Sequence, residues 1–178
     1  MKILETNRLV LRRLSTDDAD FIVDLLNQPS FLKYIGDKGV RTVEDASQFI
    51  VKGPIASYEQ FGFGLYLVEL QGSAIPIGIC GLLKRESLDD VDIGFAFLPQ
   101  FWSQGYGFEA ASAVMDYGMR TLKLERIVAI ASVDNDGSFR LLEKLGLGFE
   151  RLIRLAEDEP EIKLFTPVAG SLVPSPPG

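Results

Sequence analysis

The spacing of apolar residues changes period several times along the chain, and the changes mark out its elements. Residues 9–14 alternate as a first strand. Ser15 then sets a hydroxyl three residues before Asp18, a helix-start signature, and Phe21, Ile22, Leu25 and Leu26 carry a helix up to Pro29, which is expected to end it. Residues 31–36 read as a turn-rich connection to a second start at Thr42, with Asp45 three positions on and Ala46, Phe49 and Ile50 as the apolar stripe. From Phe61 the pattern shifts to runs of Leu, Val, Ile and Phe broken at Gln71-Gly72-Ser73 and at Ser87-Leu88-Asp89-Asp90. Three antiparallel strands follow, over 62–70, 75–85 and 91–98.

A long helix is predicted over 107–122, with Phe108, Ala111, Met115 and Leu122 on one face and Arg120 and Lys123 where the macrodipole favours positive charge. A β-branched strand at 126–133, a short helix at 136–145 closed by Gly146, and strands at 149–155 and 161–165 complete the order. The expectation is an α/β chain of the mixed α+β kind. It has one domain over 1–166 and a Pro-, Gly- and Ser-rich tail, extended or loosely held, over 167–178.

At 178 residues one core suffices, able to bury about two-thirds of the surface an unfolded chain exposes. Acidic residues outnumber basic ones by 25 to 18, a formal charge of -7 with no Lys/Arg-rich run, so the footprint of a nucleic-acid binder is missing. Such a field suits a cationic or amine-bearing substrate, although surplus carboxylates also serve solubility. The single cysteine, Cys80, excludes an internal disulfide, points to a reducing compartment and reads as a small buried strand residue. Charges at Lys2, Glu5 and Arg8 exclude a signal peptide, and no apolar run approaches the ~18 residues of a membrane span. A cytoplasmic protein is expected. The absence of histidine rules out His-based triads and His-bearing metal sites, so no metal is expected and proton transfer falls to carboxylates, hydroxyls, water or the substrate.

The chemistry-bearing segment is Pro99-Gln100-Phe101-Trp102-Ser103-Gln104-Gly105-Tyr106-Gly107-Phe108-Glu109-Ala110, which joins a predicted strand to the longest helix. Two glycines there allow a tight turn and a close ligand approach, and the unpaired N–H groups of the first helical turn suit a pyrophosphate. Taken alone, Gly-x-Gly is a weak motif and reads first as a tight strand-to-helix turn. There is no third glycine for a Rossmann fingerprint and no Gly-Lys-Ser/Thr for a P-loop.

Downstream stands Asn135-Asp136-Gly137-Ser138-Phe139-Arg140-Leu141-Leu142-Glu143-Lys144-Leu145-Gly146, and upstream Glu5-Thr6-Asn7-Arg8-Leu9-Val10-Leu11-Arg12. With the Gly loop between them, these segments resemble the GNAT superfamily of acetyltransferases, in particular the branch of ribosomal-protein N-terminal (alanine/serine) acetyltransferases. The resemblance implies a central, mostly antiparallel, splayed sheet of about seven strands flanked by about four helices. It implies acetyl-CoA as cosubstrate and an amine as acceptor: a protein or peptide N-terminus, or a small amine. Fold analogy allows a homodimer. The pantetheine arm would lie between the strands at 91–98 and 126–133. It would pair with Phe97 and Leu98, its pyrophosphate would sit on Gln104, Gly105, Tyr106 and Gly107, and Asn135 would reach it from the other side.

Trp102 stands where the wider superfamily has Gln or Arg. The branch tolerates Trp there, as a loop-packing aromatic or a cofactor contact. Many members carry a tyrosine acid seven residues after the Asn, where this chain has Leu142. Ser138 is the substitute acid, or an ordinary helix-start serine, and Asn135 without the resemblance is a turn residue or cap. Asp92, before Ile93-Gly94 on the strand beside the thioester, is the candidate base, with a solvated turn acid as its alternative. Glu109 has a rival reading, that of a first-turn acid stabilised by the helix dipole. Competing functions are a non-catalytic acyl-CoA-binding module and a nucleotide-binding regulator.

Overall fold

The computed structural model describes residues 1–169; most of the tail expected over 167–178 lies outside the described residues. The elements run β1 (Lys2–Glu5), β2 (Leu9–Arg13), a 3-10 turn (Thr16–Asp18), α1 (Ala19–Leu26), α2 (Pro29–Tyr34), and α3 (Val43–Ile50), which passes through a π-helical turn (Val51–Ile55) into α4 (Ala56–Phe61). Then come β3 (Leu65–Leu70), β4 (Pro76–Leu83), β5 (Val91–Phe97), a 3-10 turn (Pro99–Phe101), α5 (Tyr106–Asp116) with a π-helical turn (Tyr117–Thr121), β6 (Ile127–Ser132), α6 (Asp136–Lys144), β7 (Leu147–Ile153) and β8 (Ile162–Pro167).

One sheet collects all eight strands in the order β1-β2-β3-β4-β5-β6-β8-β7. Every neighbouring pair is antiparallel except β5 and β6, which run parallel and pair only through Val91 with Ile127 and Asp92 with Val128. That join positions the site, because β5 beyond Asp92 has a partner on one edge only.

Side chains alternate across the strands, so each face of the sheet builds its own core. Tyr66, Val68, Cys80, Leu82 and Ile93 pack with Ala110, Ala111, Val114 and Met115 of α5 and Leu142 of α6. Leu67, Ile79 and Leu98 pack on the opposite face with Ile22, Leu25 and Leu26 of α1, Phe31 of α2, and Ala46 and Ile50 of α3. Each fully buried Leu or Ile there contributes about 1.5–3 kcal/mol over an exposed one. Cys80 is buried, and burial pushes its thiol up, as suits a packing role.

The start signals at Ser15 and Thr42 form as expected, each with a reciprocal capping box to Asp18 and Asp45. Two helices and one strand go beyond the pattern. Pro29 ends α1 but also opens α2 as an N-terminal residue, where its missing N–H costs nothing. Gly62, expected in a strand, is the left-handed C-cap of α4 at φ 83°. Lys2–Glu5, too short to show a period, pairs with β2 as an eighth strand across a bulge. Among the described residues no helix is long and apolar enough to cross a membrane.

Candidate active site at the splayed strands

The β4–β5 ladder decides which backbone groups of β5 are open. Leu98 N–H donates to the Ile77 carbonyl at 2.9 Å, and the register sets Ala96 opposite Ile79 and Gly94 opposite Gly81. Alternate residues of an antiparallel strand address the same neighbour. Asp92, Gly94, Ala96 and Leu98 therefore turn to β4; Ile93 closes the last β5–β6 pair, Asp92 with Val128, and Phe95 and Phe97 turn their N–H and C=O groups into the gap beyond it. Leu98 is occupied on both sides, since its carbonyl accepts from Phe101 N–H at 3.0 Å and its side chain is buried under α1 and α3. Phe95, not Leu98, joins Phe97 along the open edge. The period of two carried that signal, because the open positions had to be two residues apart. The Phe97 carbonyl already accepts the indole N–H of the half-exposed Trp102 at 2.9 Å, so Trp102 braces the strand end.

The open edge leads to the start of α5. Gly105 caps that helix at φ 85°, a left-handed conformation that favours glycine, and no side chain caps the first turn. The amides of Tyr106, Gly107 and Phe108 thus point out of the helix without an intrahelical acceptor. A Cβ on Gly107 would lie 3.7 Å from both the Phe97 ring and Leu141, so this glycine sits where the gap between β5 and α6 meets the helix start.

The loop is anchored from the β1–β2 turn. Glu109, 1% exposed, accepts from the Thr6 hydroxyl, from Arg8 N–H at 2.9 Å and from Arg8 Nε at 2.8 Å. Burial pushes its carboxyl up, but the Thr6 and Arg8 hydrogen bonds outweigh that and hold it below the usual glutamate value. Arg8 Nη1 donates to the Gln104 carbonyl at 3.0 Å, and the guanidinium lies over the Tyr106 ring at 4.4 Å. Gln104 also donates from Nε2 to the Gln100 carbonyl at 3.0 Å.

The far wall begins at β6. Asn135 caps α6, accepting from Ser138 N–H at 3.3 Å and donating from Nδ2 to Ser138 Oγ at 2.9 Å. The Ser138 hydroxyl donates to nothing among the described residues. Leu142, one turn on, is packed into the core. At the end of β6 the Ser132 hydroxyl donates to the Tyr34 carbonyl at 2.6 Å, drawing the end of α2 against the strand.

A strand with an open edge thus runs towards an uncapped helix start behind a left-handed glycine. The model of the acetyltransferase (GNAT) domain matches residues 8–148. The chain belongs to the GNAT acetyltransferase family. It is 30% identical over 154 residues to YoaA of Bacillus subtilis, an uncharacterized N-acetyltransferase, covering 85% of this chain and 86% of that one. A GNAT-family acetyltransferase structure from Bacillus anthracis superposes with a TM-score of 0.76 at 28% identity, over 93% of this chain and 96% of that one. RimL, the ribosomal L7/L12 alpha-N-protein acetyltransferase solved with coenzyme A, shares the fold at 19% identity, with a TM-score of 0.78 over 94% of this chain and 98% of that one.

In this GNAT domain Asp92 stands at the apex of the splay, on the last residue pair that joins β5 to β6. Its side chain points to the α1–α3 face with Gly94, Ala96 and Leu98, and is 1% exposed. Arg85, across the β4–β5 turn, donates from Nε to one carboxylate oxygen at 2.9 Å, and the other oxygen, Oδ2, has no partner among the described residues. Burial pushes the Asp92 carboxyl above the ordinary aspartate value against the pull of Arg85. A solvated turn acid would show neither the burial nor the unpartnered oxygen. No group of three or more His, Cys, Asp or Glu side chains placed to hold a metal ion occurs among the described residues.

Proposed function

We propose that this protein transfers the acetyl group of acetyl-CoA to a primary amine, a protein or peptide N-terminus or a small amine, by direct attack in a ternary complex. The observation that carries the proposal is the open edge of Phe95 and Phe97 running continuously into the uncapped N-terminus of α5. An extended amide-bearing arm can add to such an edge as a strand does, and a diphosphate can be met by the N–H groups of Gly105, Tyr106 and Gly107. Gln104 and Trp102 shape the loop, and Asn135 faces the arm from the α6 side.

In the transfer a neutral amine attacks the thioester carbonyl. A C–N bond forms, the C–S bond breaks, the amine loses a proton and the leaving thiolate gains one. A gap-facing N–H of β5 steadies the oxyanion. An α-amino group, with a pKa of ~8, is partly neutral at pH 7, whereas a lysine-like amine at ~10.4 needs a base. Asp92 takes the proton directly or through water, its burial making it a stronger base than a surface aspartate. Ser138, whose hydroxyl donates to nothing among the described residues, supplies a proton to the thiolate. Leu142 removes the tyrosine route. A thiol of pKa ~8.5 leaves tolerably without it.

The second reading, a non-catalytic acyl-CoA-binding module, rests on Leu142 in place of a tyrosine acid and on the absence of histidine. Free-thiol release from acetyl-CoA separates the two, using peptides, amino acids, polyamines and aminoglycosides as acceptors. Amine-dependent thiol release supports the transferase; acetyl-CoA binding with no release from any amine supports the module.

A further inference from the structure

The loop from Pro99 to Phe108 contains no lysine or arginine, on a chain with a formal charge of -7. A diphosphate brought to it meets backbone dipoles and no cation of the loop's own. Arg8, about a hundred positions earlier in the sequence, is hydrogen-bonded to the loop through the Gln104 carbonyl at 3.0 Å. Its guanidinium is fixed from three directions, by Glu109 at Nε, by Gln104 at Nη1 and by the Tyr106 ring beneath it. Nη2 is the remaining arm. It has no partner among the described residues, and a Cβ built on Gly105 would lie 3.1 Å from it. Arg8 is also 41% exposed, so the arm is accessible to a solute at the loop.

We propose that Arg8 is the cationic member of the diphosphate site, offering Nη2 to a phosphate oxygen beside the amides that follow Gly105. This rests on the acetyl-CoA reading above and adds to it a residue outside the Gly-x-Gly segment. Glu109 is the positioning residue. Its carboxylate sits on the Nε side of the guanidinium and is itself shared with the Thr6 hydroxyl and the Arg8 amide, so it orients the fork while leaving Nη2 free. A lysine cannot replace the fork, because one ammonium cannot reach Glu109, the Gln104 carbonyl and a phosphate in fixed directions together.

The test is calorimetric binding of CoA to wild type, Arg8→Lys and Arg8→Met at low and moderate salt, with S-acetylpantetheine, which lacks the diphosphate, as control donor. Arg8→Met should weaken CoA about tenfold or more and flatten the salt dependence of its affinity, with Arg8→Lys between the two. Turnover of S-acetylpantetheine should fall by a smaller factor than the affinity for CoA in both variants. Wild-type CoA affinity in Arg8→Met would overturn the inference. So would a proportional loss with both donors, which would place Arg8 in the folding of the loop alone. Failure of the wild type to bind CoA at all would sink the acetyl-CoA reading itself, and the role of Arg8 with it.

Discussion

Replacing Glu109 by alanine perturbs the junction on which the site's geometry depends. The carboxylate is buried and accepts from the Thr6 hydroxyl, the Arg8 amide and Arg8 Nε. After Glu109→Ala these three donors fare differently. The Thr6 hydroxyl has the Leu9 carbonyl at 3.5 Å as its other acceptor, and still accepts from Leu9 N–H at 3.1 Å. The guanidinium is 41% exposed and regains water on that side, so its loss is discounted towards the surface value of ~1 kcal/mol or less. The Arg8 amide loses its acceptor at a part-buried position, which costs about 1–3 kcal/mol.

Together these give about 1–4 kcal/mol, a fall in Tm of roughly 3–12 °C for a domain of this size. The pH dependence has a definite sign. Because the folded carboxyl lies below its ordinary value, its contribution is complete above ~4.3 and is lost as pH falls through the folded value. Urea melts of the wild type and Glu109→Ala should therefore differ at pH 7 and converge in acid. A difference below about 0.5 kcal/mol at pH 7 would refute the anchoring role.

Four further outcomes follow from the same geometry. Gly105→Ala forces a left-handed residue to carry a Cβ beside Arg8; it should cost about 1–2 kcal/mol and weaken CoA binding, and unchanged calorimetry would contradict the loop assignment. The raised Asp92 carboxyl predicts that kcat/KM falls in acid with an apparent pKa above the ~3.9 of an ordinary aspartate, since the base form is lost as pH drops through the raised value; Asp92→Asn should abolish that limb, and an unchanged profile would remove Asp92 from the chemistry. Asn135→Ala should lose about 1 kcal/mol of stability with its helix cap, whereas Ser138→Ala should lower kcat while the melting curve stays close to wild type; full kcat in Ser138→Ala would remove it as the acid.

Much of the fold was legible because local rules and tertiary packing agree here. The capping boxes at Ser15 and Thr42, the β4–β5 pairing and the left-handed Gly146 after α6 are all written within short windows of sequence. Pro29 was half legible: its sequence signature is a stop, and only the packing of Phe31 against the α1 and α3 core turns Pro29–Tyr34 into α2. Lys2–Glu5 becomes a strand only because β2 offers it an edge.

In the site, the Gly105 turn could be read from the chain, and Phe97 could be placed at the strand end. That Phe95 rather than Leu98 shares the open edge depends on which residues β4 occupies. The anchoring by Arg8, Thr6 and Glu109 spans a separation of 101 to 103 residues, with no local signal in either segment. Asp92 could be picked out by position, but its burial and its Arg85 partner appear only once the β4–β5 turn is closed.

Backbone amide NMR during a CoA titration reports, residue by residue, where a CoA thioester binds. The largest saturable shifts are predicted at Phe95, Phe97, Gly105, Tyr106 and Gly107, with Leu98 moving less because its amide is held by Ile77. Saturable binding that leaves those five amides unmoved and shifts another surface instead would contradict this site.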